Sequence, residues 1–508
     1  MNKKKLILPG LIVLKFLLQY YLISPQYDLQ RDEYLHLDQA NHLAWGYVSV
    51  PPFTSWVSFL IKILGNSVFW IKFFPALFGA LTMVVVWKAI KELNGNLYAQ
   101  ILGAVCVLFS CLLRLNTLFQ PNSFDVLSWT AFYFVLIKYF KSHDSKWLFI
   151  GAIVFSLGLL NKYNIVFLLI GFLPAILLTE QRKVFLVKRF YFAILLVLIL
   201  VAPNLIWQYN NNFPVVHHMK VLAQTQLVNV DRLEFLKSQF LFFIGASVVI
   251  ISGVIALLLY KPFKPYRSFF WSIILTILVF MYFKAKDYYA IGVYPIYIAF
   301  GSVYLANKLS FGWKRFLQPI LIAIPVLLFI PMYNLAFPNK DPEYIVRHAK
   351  TYSDLGMLRW EDGKEHLIPQ DYADMLGWKE LAEKIDSICE GLPNLDNTLI
   401  LCDNYGQAGA INYYKKNKRI QAQSFDADYV NWLNYDQNIS DVILVKEPDD
   451  EDSERKTEIP LFKEVCLSAK RINKYAREDT ISIYVLKGAK VDVTKRIKME
   501  ADQKLNYK

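Results

Sequence analysis

Apolar segments long enough to cross a lipid bilayer follow one another through the first two thirds of this 508-residue chain. A transmembrane helix needs roughly 17–25 mostly apolar residues, and eleven candidate segments, several of them short, precede residue 335. These segments are 6–23, 67–90, 97–113, 124–140, 147–160, 165–178, 190–207, 240–259, 269–283, 288–306 and 316–333. The pattern predicts a mostly α, polytopic bundle of about eleven transmembrane helices over residues 1–334.

The remainder of the chain, residues 335–508, is polar and predicts an α/β domain. Residues 398–402 and 442–445 have the pattern of short buried strands, and residues 408–414 that of a helix after a turn. Lys and Arg outnumber Asp and Glu by 29 to 11 over residues 1–334, but the ratio is 26 to 31 afterwards. The basic excess therefore belongs to loops that flank the membrane, and we exclude nucleic-acid binding.

Basic residues also predict which way the bundle faces, because cytoplasmic loops carry an excess of Lys and Arg. With the amino terminus inside, the inner segments hold 18 Lys and Arg against 3 Asp and Glu. The first apolar segment is followed by no small-residue cleavage site, so it is expected to remain as a signal anchor. An odd number of crossings then places residues 335–508 outside the cytoplasm and leaves residues 24–66 as the first outer loop.

Two adjacent carboxylates, Asp32 and Glu33, lie in this outer loop just after the first apolar segment. On a helix, Asp32, His36 and Gln39 would share one face. Acidic and imidazole groups at a membrane surface suit proton abstraction or metal binding, although a solvated juxtamembrane helix is the plainer interpretation. His36, His42 and Asp32 form a candidate metal set, but spacing alone does not fix geometry. We predict no required metal and no other cofactor.

The surrounding motifs favour the functional interpretation. Residues 31–34 (RDEY), followed by residues 46–47 (GY) and 51–52 (PP), resemble the first outer loop of the dolichyl-phosphate-mannose–protein mannosyltransferase-like superfamily. This superfamily has the GT-C fold, is similar to glycosyltransferase family 39 and is related to the bacterial lipid A aminoarabinose transferases. Further segments that resemble it are Asp125, 160–163 (LNKY), 203–208 (PNLIWQ), 286–289 (KDYY), 294–295 (YP), 367–375 (LIPQDYADM), 377–378 (GW) and 404–410 (NYGQAGA).

The resemblance implies transfer of a sugar from a polyprenyl-phosphate donor to a hydroxyl of a lipid, protein or glycan, with inversion at the anomeric carbon. A hydroxyl is a poor nucleophile, so Asp32 is the expected general base, with Glu33 as a neighbour that orients or substitutes for it. The departing phosphate is a stable anion that needs fixed cations more than an acid. The candidate cations for the donor phosphate are Lys162 and Lys286, with Lys284 and Arg31 behind them.

A second group of residues is expected to position the acceptor or the donor. Its members are Asp125, Tyr34, Tyr163, Tyr288 and His218. Several of the candidate site residues also have a structural interpretation. The candidate lysines can snorkel to the headgroups, Asp125 can be a charge stabilised by a helix dipole, and His218 can be a solvated loop residue. One departure from the family is that only Ser49 lies where an acid often stands between the GY and PP motifs.

Two other classes of protein would also be polytopic. A secondary transporter commonly shows repeated halves and broken helices, whereas this chain shows no obvious repeat and most carboxylates of its first 334 residues lie on the predicted outer side. A non-catalytic membrane scaffold with a docking domain would not need Asp32, Lys162 and Lys286.

An oxidising outer compartment would permit one disulfide among Cys389, Cys402 and Cys466 without fixing the pair. The sugar and the acceptor are not determined by the sequence.

Overall fold

The computed structural model describes residues 3–419, 421–436 and 438–505, and it is mostly helical. The first sixteen α-helices are α1 (Ile7–Tyr21), α2 (Arg31–Asp38), α3 (Phe53–Ile63), α4 (Val68–Glu92), α5 (Leu97–Leu108), α6 (Leu112–Leu115), α7 (Asn122–Ser142), α8 (Lys146–Asn161), α9 (Ile165–Leu177), α10 (Lys188–Asn210), α11 (Pro214–Thr225), α12 (Arg232–Phe242), α13 (Ser247–Leu259), α14 (Arg267–Tyr282), α15 (Pro295–Lys308) and α16 (Leu317–Ala336). The last six are α17 (Pro342–Arg347), α18 (Ala349–Asp354), α19 (Gln370–Ala373), α20 (Trp378–Glu390), α21 (Tyr405–Tyr414) and α22 (Val493–Leu505).

A helix lies at each of the eleven predicted membrane segments, namely α1, α4, α5, α7, α8, α9, α10, α13, α14, α15 and α16. By length and apolar composition, four described spans can cross a bilayer unaided: Val68–Glu92, Lys188–Asn210, Lys261–Tyr282 and Gly312–Ala336. Three pairs of helices bent by 47° to 106° raise that number to seven if each pair is one span. The predicted segment 240–259 is one of these broken spans, because α12 and α13 meet at a bend of 68°.

The one charged residue inside the first span, Lys15, faces the bundle, as expected for a costly charge at that depth. Its side chain is 3% exposed, and Nζ donates to Gln19 Oε1 at 3.1 Å. Gln19 in turn donates to the carbonyl of Leu113 at 3.2 Å. This chain of polar contacts therefore ties α1 to the end of α6.

Glycines set the closest helix contact of the bundle, between α13 and α15. A Cβ atom at Gly301 would lie 1.8 Å from the carbonyl oxygen of Val249, and one at Gly253 would lie 2.5 Å from that of Tyr297. Small residues at such positions let two backbones approach where side chains would hold them apart.

The carboxyl-terminal region contains a five-stranded sheet in the order β2-β1-β3-β5-β4. Its strands are β1 (Thr398–Cys402), β2 (Ala422–Ser424), β3 (Asp441–Lys446), β4 (Phe462–Ile472) and β5 (Thr480–Ala489). β1 pairs in parallel with β2 and β3, whereas β5 pairs antiparallel with β3 and β4. α20 and α21 cover one face and α22 covers the other. The two predicted strands and the predicted helix are confirmed as β1, β3 and α21.

The sheet domain packs directly on the first outer loop, with α21 against α2. Asp28 accepts hydrogen bonds from the backbone N–H groups of Trp378 and Lys379, at 2.9 and 3.1 Å, where α20 begins. Asp38, at the end of α2, accepts from the Tyr429 hydroxyl at 2.5 Å. The outer loop thus lies between the bundle and the sheet domain. The proposed boundary between the two, after residue 334, falls in the last turn of α16.

Candidate active site

Asp32 occupies the first turn of α2, which a capping box fixes in place. The Gln30 side chain accepts from the backbone N–H of Asp32 at 2.8 Å, and Glu33 Oε2 accepts from the backbone N–H of Gln30 at 2.8 Å. The Asp32 carboxylate is partly exposed. Its Oδ1 accepts from the Tyr405 hydroxyl at 2.6 Å, and its Oδ2 accepts from Gln120 Nε2 at 3.1 Å. Asp32 is thereby held between the bundle and the sheet domain with access to solvent.

Glu33, its neighbour, is completely buried and has no free oxygen. Both oxygens accept from Lys72 Nζ, at 2.6 and 2.7 Å, and one also accepts from the backbone N–H of Phe119 at 2.6 Å. A buried carboxylate is stable only when it is paired and hydrogen-bonded in this way. Of the two roles predicted for Glu33, these contacts favour orienting Asp32 over substituting for it.

Lys162 lies where α8 ends, in a polar corner formed with the start of α7. Its Nζ donates to Asn122 Oδ1 at 2.7 Å and lies 4.3 Å from the centre of the Tyr289 ring. Asp125, 4% exposed, accepts from Asn164 Nδ2 at 2.9 Å and from an indole N–H of its own helix. The structure therefore brings Lys162 and Asp125 together, with amide side chains arranged around both.

Lys286 precedes the 3-10 turn Asp287–Val293 and forms an ion pair with Glu361. Both predicted cations approach the Tyr288 ring, whose centre is 5.1 Å from Lys162 Nζ and 6.0 Å from Lys286 Nζ. Asp32 lies within electrostatic range of the same tyrosine. The structure therefore places the two lysines, Tyr288 and Asp32 in one region.

Further charges surround this site from α6 and from the segment before α20. An Arg114 guanidinium nitrogen lies 3.6 Å from Asp371 Oδ2. Asp371 also interacts electrostatically with Asp32, Glu361 and Lys286. The region therefore holds both cations and carboxylates, with Arg114 beside Asp371 and Lys286 beside Glu361.

Arg31 is close to Asp32, but it contacts the sheet domain. Its guanidinium carbon lies 4.3 Å from the centre of the Tyr405 ring, and its backbone N–H donates to the Asp374 carbonyl at 3.1 Å. Burial raises the pKa of Asp374 to about 6, against the effect of Arg477 and Arg31. These contacts place the Arg31 side chain against the sheet domain. Its role at the donor phosphate stays a prediction.

Two of the predicted residues lie elsewhere. Lys284 has a left-handed backbone, with φ of 50°, and its Nζ donates to the Val228 carbonyl at 3.2 Å, outside the Lys162 and Lys286 pair. Tyr34 is 1% exposed and packs edge-on against Trp378, with its hydroxyl bonded to that of Tyr414 at 3.3 Å. Lys284 thus anchors a neighbouring turn and Tyr34 docks the sheet domain. The binding roles expected of both residues stay predictions.

Tyr163 and His218 lie at the periphery of the site. The Tyr163 hydroxyl donates to Asn204 Oδ1 at 3.0 Å, and Asn204 donates to the Trp45 carbonyl at 2.8 Å, so Asn204 on α10 links Tyr163 to the first outer loop. His218 lies on α11, where burial and the nearby Lys286 lower the pKa of its imidazole. Its position favours a neutral ring that faces the Lys286 side of the site.

Comparisons with known proteins agree with this architecture. The sequence profile of the family described as dolichyl-phosphate-mannose-protein mannosyltransferase matches residues 49–207. ArnT from Cupriavidus metallidurans is similar in structure, bound to undecaprenyl phosphate (TM-score 0.60) and in the apo state (TM-score 0.61), with 12% identity over 94% of this chain and 97% of that chain. AglB from Archaeoglobus fulgidus, in complex with an inhibitory peptide and a dolichol-phosphate, has a TM-score of 0.48 and 13% identity over 87% of this chain and 70% of that chain. No curated protein matches the chain significantly.

The chain has the GT-C fold. The predicted resemblance and fold class, a helical GT-C bundle with a carboxyl-terminal sheet domain, are confirmed. The profile match contains Asp125 and Lys162 but begins after Asp32. The role of Asp32 in this GT-C protein therefore depends on its own geometry.

No group of three or more His, Cys, Asp or Glu side chains in the described residues of this GT-C protein is arranged to hold a metal ion. The candidate set from the first outer loop is dispersed. His36 Nδ1 lies 3.3 Å from Gln39 Oε1, whereas His42 stacks on Trp432 with ring centres 4.4 Å apart. All five cysteines, each within the described residues, are free thiols, so the permitted disulfide is not formed.

Several residues of the site were not selected from the sequence. They are Gln120, Arg114, Glu361, Asp371, Lys72 and Tyr405. Tyr405 and Asp371 lie inside quoted motifs, and Gln120 lies four residues before the start of the predicted segment 124–140, so position along the chain was a usable signal for these three. Glu361 lies in a polar turn of the sequence. Only its long-range contact with Lys286 identifies it as a residue of the site.

Proposed function

We propose that this GT-C protein transfers a sugar from a polyprenyl-phosphate donor to a hydroxyl acceptor, with inversion, on the extracytoplasmic side of the membrane. The proposal of side and orientation rests on the excess of Lys and Arg in the alternate loops assigned to the cytoplasm. The amino terminus would then be cytoplasmic, and the sheet domain would lie outside.

The donor phosphate is proposed to bind between Lys162 and Lys286. Both amines approach the Tyr288 ring, so one phosphate group placed there would meet two cations. Positive charge fixed before the reaction stabilises the charge that grows on the leaving phosphate oxygen. ArnT, which shares the fold, is known bound to undecaprenyl phosphate, and this supports a lipid phosphate as the ligand of the corresponding region.

Asp32 is proposed as the general base. As the acceptor oxygen attacks the anomeric carbon, its proton passes to Asp32, and the bond between that carbon and the phosphate oxygen breaks with its electron pair on the phosphate. The products are the new glycoside, a protonated Asp32 and polyprenyl phosphate. Attack opposite the leaving group inverts the anomeric carbon.

One observation carries this assignment. Of the two adjacent carboxylates, only Asp32 is partly exposed, whereas Glu33 is buried and saturated by Lys72 and backbone N–H groups. A base on one side of a small site and cations on the other are what an in-line displacement with an anionic leaving group requires.

The test follows release of polyprenyl phosphate by the purified full-length protein in detergent, with a panel of polyprenyl-phosphate sugars and hydroxyl acceptors. Asp32→Asn should lose turnover by about 10²–10⁴-fold while it retains donor binding and its melting temperature. The matched control is Asp354→Asn, at an exposed residue of α18, which should leave turnover unchanged. Equal turnover in wild type and Asp32→Asn would remove Asp32 from the mechanism, and no turnover with any donor would oppose the transferase itself.

A further inference from the structure

The first turn of α21, in the sheet domain, reaches into the proposed active site. Tyr405 is the first residue of this helix, and its hydroxyl donates to Asp32 Oδ1 at 2.6 Å. The Arg31 guanidinium covers the face of the same ring at 4.3 Å. Tyr405 is therefore fixed from two sides, by the base that it contacts and by the cation beside that base.

Asn404 fixes where α21 begins. Its side-chain oxygen accepts from the backbone N–H groups of Gly406 and Gln407 at 2.8 and 3.0 Å, which is an N-cap. The amide nitrogen of the same side chain donates to Glu478 at 2.7 Å and to Glu447 at 2.5 Å. The sheet therefore determines the position of the residue that follows, which is Tyr405.

Two glycines allow α21 to approach α2 closely enough for this contact. A Cβ atom at Gly406 would lie 2.6 Å from Arg31 Cγ, and one at Gly409 would lie 2.7 Å from Tyr34 Cβ. Both distances are shorter than packed carbon atoms tolerate. The glycines of segment 404–410 thus let its first turn pack against the first outer loop.

We propose that the sheet domain completes the active site, with Tyr405 as the positioning residue that holds Asp32 through Oδ1 and leaves Oδ2 to take the acceptor proton. The inference rests on the proposed function, because it needs Asp32 as the base. A hydroxyl donor stabilises the ionised carboxylate and fixes its rotamer. Oδ2, bonded to Gln120 at 3.1 Å, has the longer contact and is the oxygen that an acceptor hydroxyl would engage.

The test measures kcat and the donor KM for Tyr405→Phe in the full-length protein. This variant keeps the ring beneath Arg31 and removes only the hydroxyl. Without that donor the Asp32 carboxylate loses the contact that fixes its rotamer, so kcat should fall about tenfold. The donor KM should stay unchanged, because the proposed phosphate site does not include Tyr405.

Tyr413→Phe is the matched control, because Tyr413 lies on the same helix and donates to the Asn66 carbonyl at 3.2 Å, away from Asp32. It should reproduce the wild-type kcat and donor KM. A Tyr405→Phe variant with the kcat of Tyr413→Phe would overturn the inference even where Asp32→Asn is inactive. Full activity of Asp32→Asn would instead overturn the proposed function, so the two failures are distinguishable. Melting temperatures of all variants identify any loss of folding.

Discussion

The ion pair between Glu361 and Lys286 should compete with the donor phosphate, and replacing the carboxylate should tighten binding. Glu361 lies in a turn that is held in place independently of the pair. Its backbone N–H donates to Gln370 Oε1 at 2.9 Å, and its carbonyl accepts from Asn229 Nδ2 at 3.0 Å. Glu361→Gln therefore removes the negative charge while the turn keeps its other contacts.

The size of the effect follows from the exposure of the pair. The Lys286 side chain is 13% exposed and that of Glu361 is 34% exposed. A fully exposed pair is worth about 0.2–1 kcal/mol, and a hydrogen bond to a charged group is worth about 1.5–3 kcal/mol. A partly screened pair of about 1–2 kcal/mol that the phosphate must displace corresponds to roughly 5–30-fold in Kd.

The assay is equilibrium binding of a short-chain polyprenyl phosphate to the detergent-solubilised protein, by calorimetry or by quenching of tryptophan fluorescence. Glu361→Gln should lower Kd by that factor, and Lys286→Ala should raise it. Glu365→Gln, which removes a carboxylate of the same turn bonded to Ser353 at 3.2 Å, is the control and should leave Kd unchanged. An unchanged or weaker affinity in Glu361→Gln would refute the assignment of Lys286 to the phosphate.

Three further predictions concern stability and docking. Lys72→Met leaves the buried Glu33 without its cation and should cost about 3 kcal/mol, measured as a lower melting temperature. Gly406→Ala should reduce turnover at least tenfold by displacing the loop from α21, whereas Gly391→Ala, whose Cβ would lie 3.5 Å from its nearest contact, should not. Burial raises the pKa of Asp428 to about 6. The folded-state pKa of Asp428 thus exceeds its unfolded value of about 3.9. The stability that this carboxyl group contributes is therefore fully present below pH 4 and is lost as the pH rises through 6. Melting temperatures should therefore be higher at pH 5 than at pH 7.5, and less so in Asp428→Asn.

Each of these predictions has a result that opposes it. An unchanged melting temperature in Lys72→Met would mean that the ion pair between Lys72 and Glu33 does not stabilise the folded protein. Wild-type turnover in Gly406→Ala would show that the outer loop adjusts to the added methyl group. An identical pH dependence in Asp428→Asn would assign the titration to other buried carboxylates between the loop and the sheet domain.

Local patterns were sufficient to predict the bundle, because membrane helices satisfy their backbone hydrogen bonds internally and must be apolar. The same reasoning identified strands 398–402 and 442–445, whose apolar runs lie in the middle of the sheet. It did not identify β2, β4 and β5. β4 alternates between exposed and partly buried residues at the edge of the sheet, and β2 has only three residues, so neither carries a strong apolar signal.

The cations of the site were less predictable than its base. Lys162, Lys284 and Lys286 all lie at predicted outer helix ends, and their sequence surroundings do not distinguish them. The structure separates them through the backbone, because Lys284 has a positive φ that turns its side chain toward Val228. Glu361, the partner of Lys286, is 75 residues away. Such contacts depend on how segments pack, which spacing does not encode.

The adjacent carboxylates show why residue type alone does not assign a role. Successive residues on a helix point about 100° apart, so Asp32 and Glu33 cannot face the same surroundings. Glu33 faces the bundle, where Lys72 and two backbone N–H groups saturate it. Asp32 faces the gap between bundle and sheet domain, where its donors are a tyrosine hydroxyl and an amide. A neutral hydrogen-bond donor fixes the orientation of a carboxylate and leaves its negative charge unpaired. A buried ammonium ion instead holds its carboxylate in a fixed ion pair. Exchanging the two residues, as Asp32→Glu with Glu33→Asp, should therefore destroy both the pair and the base.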